Sequence, residues 1–230
     1  MPDLDSLPDT TTRPDGVPGA RMDAQRNRRQ LIVATREAVA SRGLEVSARD
    51  IATAAGVGVG TLYRRFGTKE ALLGCAMLGL YDELLDTARR CLQRADAWDG
   101  LTEFVMTLAG AHRDSRGLAE VTAMCDGPVS PERAQRTVAL QDAVFRLTER
   151  AQTAGALRPD VTWQDVLICS RAALDVDRCL GIDAGPDGWR RVIAIVLDGM
   201  RVHGRSPLQG PGPQIHPGMT EPATNGESPA

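Results

Sequence analysis

The sequence is poor in aromatic residues and has no long apolar run. Phe, Trp and Tyr make up 3% of its 230 residues, so a core must be built mainly from Ala, Leu, Val and Ile. No stretch approaches the roughly 18 to 20 consecutive apolar residues that a membrane-spanning helix needs. The opening residues, MPDLDSLPDTTTRPDG, lack the basic-then-apolar order of a secretory signal. We therefore expect a cytoplasmic protein.

The sequence also lacks the usual signatures of metal sites, disulfide frameworks and enzymes. The five cysteines are odd in number and widely spaced, which favours small buried side chains in a reducing compartment. No G-x-S-x-G, Walker loop, H-E-x-x-H or dinucleotide motif occurs, and Gly56, Gly58 and Gly60 follow a helix rather than a strand. We predict no catalytic residue, cofactor or metal. A carboxylate pair acting as an acid and a base is the enzyme alternative.

Charge is distributed unevenly along the chain, although the overall net charge is only −3. Residues 21–69 carry ten basic side chains against four acidic ones, a net charge of +6. Residues 1–20 sum to −3 and residues 70–230 sum to −6. A basic block beside an acidic body is the asymmetry expected when one part of a chain meets a polyanion such as nucleic acid.

The apolar pattern predicts an all-α protein. Residues 1–21 and 205–230 are rich in Pro, Gly and small polar residues, so we expect two disordered tails. Between them apolar residues recur at helical spacing, and no stretch alternates as a strand does. We expect nine helices and no sheet, near residues 23–41, 48–55, 59–66, 69–91, 98–115, 117–126, 131–154, 162–181 and 187–203. We therefore expect two domains: a three-helix domain at residues 22–68, called the head, and a helical domain at residues 69–204, called the body.

Residues 47–69, SARDIATAAGVGVGTLYRRFGTK, carry the most specific pattern in the chain. Two short helices meet at Gly56, where the left-handed position of the turn leaves no room for a bulky residue. Ile51, Leu62 and Phe66 form an apolar seam. The remaining side chains of the helix at 59–66, the second of the two short helices, therefore face outward: Thr61, Tyr63, Arg64 and Arg65. This is the layout of a helix-turn-helix, whose second helix enters the major groove of DNA.

The string IATAAGVGVGTLYRRFGTKEALL, together with the helix before it, resembles the DNA-binding domain of the TetR (tetracycline-repressor) family. The resemblance is specific over about residues 25–73. It implies an N-terminal helix-turn-helix domain followed by a helical bundle for ligand binding and dimerisation. The DNA-binding residues that it implies, with the outward face of the second helix, are Ser47, Arg49, Gly58, Val59, Gly60, Thr61, Tyr63, Arg64, Arg65 and Lys69.

The resemblance also implies roles for these residues. Thr61 and Tyr63 would contact the operator backbone, Tyr63 through its hydroxyl. Lys69 would bind a phosphate from the start of the fourth helix, where the helix dipole adds to its charge. Ser47 would hold another phosphate, and Arg49 would reach a base edge. Tyr63 as a buried aromatic, and Arg64 and Arg65 as a plain solvated face, are the alternatives.

The start of the recognition helix is rich in glycine. Val59 and Gly60 would lie against the bases, and Gly58 stands where the family more often has Ser, so a side-chain cap and a phosphate contact are missing. In a helix each glycine costs up to about 1 kcal/mol relative to Ala, which fits a backbone that approaches another surface closely. A separate group precedes the first apolar stripe and forms either a basic arm in the minor groove or plain exposed surface: Arg26, Arg28 and Arg29.

The C-terminal body resembles the SbtR-like subgroup of the same family over residues 146–174, RLTERAQTAGALRPDVTWQDVLICSRAAL. In the family the last two helices pair with their copies in a second subunit. The resemblance therefore implies a homodimer through helices at about 162–181 and 187–203. The last helix is apolar around most of its girth, which fits cover on two sides. A central core helix of a monomer is the alternative.

A pocket for an unknown small-molecule effector would lie inside the bundle, between the fourth and eighth helices. The candidates for its lining are Met77, Tyr81, Phe104, Leu108, His112, Met124 and Phe145. Each of them is also compatible with plain core packing, and His112 is the one polar candidate.

The sequence thus predicts a ligand-responsive transcriptional regulator, expected to be a repressor, that binds palindromic double-stranded operator DNA as a homodimer. A binding module for a small molecule or a protein, with a silent DNA-binding head, is the alternative.

Overall fold

The computed structural model describes residues 18–123, 130–174, 178–179, 181–202 and 206–215, which are almost entirely helical. The helices are α1 (Pro18–Arg42), α2 (Ala48–Ala54), α3 (Val59–Phe66), α4 (Lys69–Leu92), α5 (Ala97–Asp114), α6 (Arg116–Ala123), α7 (Pro131–Thr153), α8 (Trp163–Cys169) and α9 (Gly188–Met200). A 3₁₀ helix (Ser170–Ala173) follows α8, and two short strands, β1 (Arg178–Cys179) and β2 (Ile182–Asp183), precede α9. The expected all-α class is confirmed.

The first three helices form a small head around an aliphatic core. Leu31, Ile51 and Leu62 are fully buried at 0% exposure and hold α1, α2 and α3 together. Ser47 sets the start of α2, because its hydroxyl accepts a hydrogen bond from the backbone N–H of Asp50 at 3.1 Å. This bond satisfies one of the N–H groups that a helix start leaves unpaired.

Two glycines in the left-handed region separate the short helices of the head. Gly56 (φ 66°) lies between α2 and α3, and Gly67 (φ 76°) lies between α3 and α4. Thr68 then caps α4 by accepting a hydrogen bond from the backbone N–H of Ala71 at 3.0 Å. Because only Gly67 and Thr68 separate α3 from α4, the head continues directly into the body through α4.

The body is a bundle in which α4 packs against both α5 and α7. Its interior is mostly aliphatic, with Phe104 fully buried and Tyr81 nearly so. The turn between α7 and α8 forms as predicted: Gly155 is left-handed (φ 67°) and Thr162 starts α8. Thr162 and Asp165 cap each other's backbone N–H groups, at 2.8 Å and 3.2 Å, which fixes this end of α8.

The predicted helix at 162–181 is wrong beyond Cys169. α8 tightens into the 3₁₀ helix at Ser170, whose hydroxyl donates to the carbonyl oxygen of Leu167 at 2.6 Å. Such a side-chain bond competes with the regular helical hydrogen bonds. Beyond it β1 pairs antiparallel with β2, with Gly181 left-handed (φ 82°) between them. The prediction of no sheet was therefore also wrong, because this two-stranded hairpin replaces the end of the expected helix.

The two predicted tails differ from the structure at their inner ends. α1 begins at Pro18, inside the expected tail at 1–21. Residues 206–215 form no helix or strand, but the carbonyl oxygen of Ser206 accepts a hydrogen bond from Arg158 at 2.8 Å. The backbone N–H of Leu208 donates to Asp160 at 3.0 Å, so this segment is attached to the α7–α8 turn. Residues 1–17 and 216–230, and the predicted helix end at 124–126, lie outside the described residues.

Two absences hold for the described part of the chain. No helix there combines the length and the apolar character that crossing a membrane requires. No group of three or more His, Cys, Asp or Glu side chains there is placed to hold a metal ion.

Candidate DNA-binding surface

The outer face of α3 is exposed and carries two positive charges. Leu62 is fully buried and anchors the helix, whereas Tyr63 is 47% exposed. Arg64 and Arg65 are exposed beside it, and Thr61 is half-buried. The alternative of Tyr63 as a buried aromatic does not hold in this structure. The face can therefore offer a phenol hydroxyl and two guanidinium groups to an anionic partner.

The N-terminal end of α3 is open to a close approach. Gly58 is the N-cap, in an extended conformation (φ −71°, ψ 146°), and no side-chain hydrogen bond caps the helix. A Cβ atom added at Gly58 or at Gly60 would meet no other atom within 4 Å. Val59 lies between them and is half-buried. Packing within the described part of the chain therefore does not require glycine at these two positions.

Ser47 and Arg49 lie at the start of α2, and both are exposed. The Ser47 oxygen already accepts the capping hydrogen bond from Asp50, so its hydroxyl hydrogen is what remains to donate to a phosphate. Asp50 also forms an ion pair with Arg42 at 3.2 Å. Arg49 extends from the same turn without belonging to that pair.

Lys69 is held at the first position of α4. It is half-buried, and its Nζ donates a long hydrogen bond of 3.5 Å to the carbonyl oxygen of Leu44, in the turn between α1 and α2. A hydrogen bond at this length is weak, and the ammonium has three donors. Lys69 can therefore bind a phosphate while it stays against the turn that leads to Ser47.

The N-terminal arginines belong to α1 and do not form an extended arm. Arg26 and Arg29 are exposed on this helix. The guanidinium of Arg28 lies 5.5 Å from the ring centroid of Phe66, at the end of α3, and 3.9 Å from the sulfur of Cys75. Arg28 thus helps to fix α3 against α1.

Glu120 of α6 contacts the head, a role that sequence reasoning missed. Its carboxylate accepts a hydrogen bond from the backbone N–H of Leu44 at 2.8 Å and pairs with Arg116 at 2.8 Å. The hydrogen bond from Leu44 lowers the pKa of Glu120 below its usual value. A Cβ atom at Gly43 would overlap Glu120, so this glycine permits the contact. The Arg116–Glu120 spacing is visible in the sequence, but the partner on the head is 76 residues away.

The residues predicted to line a ligand pocket lie mostly in the core. Met77, Tyr81, Phe104, Leu108 and His112 are all buried. Two further candidates differ: Phe145 is half-buried against this core, and Met124 lies outside the described residues. Burial, followed by the positive charge of Arg171, lowers the pKa of His112 to about 4. His112 is therefore neutral at physiological pH.

The helices expected at a dimer interface expose large apolar side chains. On α9, Ile193 and Leu197 face the core, whereas Ile195 is 61% exposed. On α8, Ile168 is 55% exposed. Both elements therefore present an apolar side chain that a partner could cover.

Comparisons with known proteins agree with this arrangement. Residues 31–74 match the model of the tetR family of bacterial regulatory proteins, and residues 96–202 match that of the C-terminal domain of SbtR-like transcriptional regulators. A search of curated proteins finds no match.

Solved structures share the fold over most of the chain. The TetR transcription regulatory protein from Mycobacterium vanbaalenii is 26% identical over 80% of this chain and 99% of its own, with a TM-score of 0.56. A TetR transcriptional regulator from Streptomyces coelicolor is 25% identical over 77% and 99%, with a TM-score of 0.55. The ketosteroid transcriptional regulator KstR2 of Mycobacterium tuberculosis, 22% identical over 76% and 95%, has a TM-score of 0.56.

Both matched family models agree with the N-terminal helix-turn-helix and with the helical bundle that follows it. This chain belongs to the TetR family of bacterial regulatory proteins and is a DNA-binding transcriptional regulator.

Proposed function

We propose that the protein is a ligand-responsive repressor that binds a palindromic operator as a homodimer. The observation that carries the proposal is the outer face of α3, where Tyr63, Arg64 and Arg65 are exposed around a buried Leu62. Cationic groups on a rigid helix, beside an open N-terminal backbone, suit the major groove and its flanking phosphates.

Each residue of this surface has a role in the proposal. Tyr63 and Thr61 contact the operator backbone, and Lys69 and Ser47 bind phosphates on either side of α3. The base edges are met at the N-terminal end of α3 and the start of α2, through Gly58, Val59, Gly60 and Arg49. Arg64 and Arg65 supply charge along the same face. The +6 charge of residues 21–69 supports this division, because phosphate contacts dominate the affinity for DNA.

The homodimer forms through α9 and the shorter α8. The exposed Ile195 and Ile168 support this interface, since pairing would remove both side chains from water. A two-fold axis between the subunits places two α3 helices about one DNA turn apart, roughly 34–36 Å, which matches a palindromic site. The hairpin that replaces the end of the predicted helix restricts the α8 contribution to Trp163–Cys169 and the 3₁₀ helix.

Release follows when a small molecule enters the body and shifts α4. The motivation is that α4 starts at Lys69 in the DNA-binding surface and extends to Leu92 in the bundle. The contact of Glu120 with Leu44 joins α6 to the same surface. A ligand that prefers the shifted arrangement lowers the affinity for DNA by its preference for that state.

Selection from randomised duplex DNA with the full chain, followed by sequencing, tests the proposal. We expect a palindromic motif whose binding weakens with salt. Tyr63→Phe and Arg64→Gln should weaken binding across all sequences, and the loss of Arg64 should lower the salt dependence by about one phosphate contact. Matched controls are Tyr81→Phe, a buried tyrosine of the body, and Arg89→Gln, an exposed arginine at the far end of α4.

The selected site also decides how the regulator acts. Transcription in vitro from a promoter that contains the site should fall when the protein is added, and a rise would replace the repressor by an activator. A folded dimer that enriches no sequence at low salt would overturn the DNA-binding proposal. The silent-head binding module would then take its place.

A further inference from the structure

The turn between α1 and α2, residues 43–47, is held from two sides by charged groups of the body. The backbone N–H of Leu44 donates to Oε2 of Glu120, on α6, at 2.8 Å. The carbonyl oxygen of Leu44 accepts a longer bond of 3.5 Å from Nζ of Lys69, at the first position of α4. Both backbone polar groups of this one residue are therefore bonded to helices that belong to the body.

The Glu120 carboxylate is fixed in orientation as well as in place. Its other oxygen, Oε1, accepts a hydrogen bond from Nε of Arg116, one turn earlier on α6, at 2.8 Å. Because the bond from Leu44 lowers the pKa of Glu120, the carboxylate is ionised at neutral pH. A hydrogen bond to an ionised acceptor is stronger than one between neutral groups. The contact with Leu44 is therefore directional, whereas apolar packing has no preferred direction.

Helix α6 is itself held closely on both sides. A Cβ atom added at Gly117 would overlap Cγ1 of Val39, so the first turn of α6 lies directly against the last turns of α1. On the body side, a guanidinium nitrogen of Arg171, in the 3₁₀ helix, donates to the carbonyl oxygen of Ala119 at 3.1 Å. The body therefore fixes α6 one residue before Glu120, the residue that bonds to the head.

The α1–α2 turn leads directly into the candidate DNA-binding surface. Ser47, three residues after Leu44, caps α2, and Lys69 begins α4. The recognition helix α3 lies between α2 and α4 in the chain, so the elements that flank it both meet at this turn. Rotation of the head on the body would lengthen the bond between Leu44 and Glu120, because the two groups lie on opposite sides of the junction. In a two-fold dimer the same rotation changes the spacing of the two α3 helices.

We propose that Glu120 is a positioning residue for DNA binding: by holding Leu44, it sets the angle of the head on the body and so the spacing of the two α3 helices in the dimer. It acts through Leu44 rather than through contact with DNA. Glu120 thus selects operators by the separation of their half-sites, while the α3 surface reads each half-site. The inference rests on the proposed function, since it assumes a homodimer on a palindromic operator.

Binding of the full chain to operators of different spacing tests this role. The duplexes carry the selected half-sites at the separation found by selection, or with one or two base pairs inserted or removed between them. A further duplex carries a single half-site. One inserted base pair rotates one half-site by roughly 35° relative to the other. The wild type should lose about tenfold or more in affinity on the altered spacings, because its two heads can no longer bind at once.

Glu120→Ala removes the acceptor for the Leu44 N–H. Its affinity for the selected operator should fall by about tenfold, and its loss on altered spacings should shrink to about threefold or less, because a free head adapts to either spacing. Its affinity for the single half-site, measured at low salt, should equal that of the wild type. General damage to the head would weaken half-site binding as well. Glu120→Gln keeps an oxygen that can accept from Leu44 and should restore most of the spacing preference.

Glu103→Ala is the matched control. Glu103 is a glutamate of α5 that pairs with Arg94 inside the body, and its side chain is 38% exposed against 32% for Glu120. This variant should keep the spacing preference of the wild type. Amide hydrogen exchange without DNA, followed by mass spectrometry with electron-transfer fragmentation, tests the contact itself. The N–H of Leu44 should exchange about tenfold faster in Glu120→Ala and at the wild-type rate in Glu103→Ala.

Several outcomes would overturn the proposal. One is equally fast exchange of the Leu44 N–H in the wild type and in Glu120→Ala. Another is an unchanged spacing preference in Glu120→Ala, or a wild type that binds every spacing equally well. Weaker half-site binding by Glu120→Ala would assign Glu120 to the stability of the head instead. Each of these failures is distinct from a failure of the operator proposal, in which the wild type enriches no DNA sequence at all.

Discussion

Helices α3 and α9 each bury one apolar stripe, but their exposed sides carry different kinds of side chain. Each buries one stripe, Leu62 on α3 and Ile193 with Leu197 on α9. The opposite stripe of α3 carries Arg64 and Arg65, whereas that of α9 carries Ile195 at 61% exposure. On the solvent side α3 therefore presents two arginines, and α9 presents an isoleucine among charged residues.

This difference indicates which kind of partner each surface can accept. Guanidinium groups lose their hydrogen bonds to water when they are covered, and an anionic partner replaces these bonds and also compensates the charge, so the α3 face favours a phosphate backbone. Burying an exposed isoleucine against any dry apolar surface lowers the free energy, so the α9 face favours an apolar partner such as the second copy proposed above. Substitutions on one surface should therefore leave the partner of the other unchanged.

The largest effect is expected at the body surface. Ile195→Glu should raise the dimer dissociation constant by about 100-fold or more, because the two-fold axis would bury two carboxylates without partners. Sedimentation equilibrium across a range of concentrations measures this constant.

The control is Val33→Glu, which places the same charge on α1 at a valine that is 52% exposed. It should leave the dimer intact. A dimer that tolerates Ile195→Glu would show that the apolar stripe of α9 is not covered by a second copy. The inference that α9 accepts an apolar partner would then be wrong.

The next effect concerns His112, a polar side chain that is buried in the body. The pKa of His112 is lowered to about 4, by burial first and by the charge of Arg171 second. Below the ordinary histidine pKa of about 6.5 the unfolded chain takes up a proton at this residue and the folded chain does not. Stability is therefore complete above about pH 6.5, falls as the pH drops toward about 4, and levels off below that value.

Urea unfolding at pH 7.5 and at pH 5.0 measures the loss, which should be about 2 kcal/mol. His112→Gln should remove this part of the pH dependence while the other two histidines remain. Equal pH dependence in the two proteins would mean that His112 is accessible to protons in the fold.

The head could be predicted from the sequence more closely than the body, for a physical reason. The bounds of α3, 59–66, agree with the prediction because Gly58 and Gly67 mark them in the chain itself. α8 was predicted too long because helical apolar spacing continues past Ser170, where a hydrogen bond to Leu167 tightens the backbone. Glycines that end a helix can be recognised in a sequence. A side-chain hydrogen bond that competes with the backbone bonds of a helix cannot.

Contacts between distant elements were out of reach for the same reason. The bond of Glu120 to Leu44 joins residues 76 positions apart. The individual DNA-contacting residues stay predictions: most of them are exposed on the head, whereas Val59, Thr61 and Lys69 are half-buried.

A smaller effect should separate stability from DNA binding within the head. Gly60→Ala adds a Cβ that meets no atom within 4 Å, so it should stabilise the fold by up to about 1 kcal/mol. The same methyl group points to the surface where bases are expected, so the affinity for the selected operator should fall by about tenfold. Urea unfolding and fluorescence anisotropy at fixed salt measure the two quantities.

Gly74→Ala is the matched control, because Gly74 is an exposed helical glycine of α4 that also has open space at its Cβ position. It should stabilise the protein to a similar degree and leave DNA binding unchanged. If Gly60→Ala also left DNA binding unchanged, the N-terminal end of α3 would not approach the bases.

The smallest effect tests the missing cap of α3. Gly58 has the extended backbone of an N-cap (φ −71°, ψ 146°) but no side chain to accept a hydrogen bond. Gly58→Ser should stabilise the head by a few tenths of a kcal/mol, and Ser47→Gly, the reverse change at the cap of α2, should cost about as much. Thermal unfolding of the two variants and the wild type measures both changes in stability. If Gly58→Ser stabilises the fold yet weakens DNA binding, then the bare N-terminus of α3 serves the operator rather than the head.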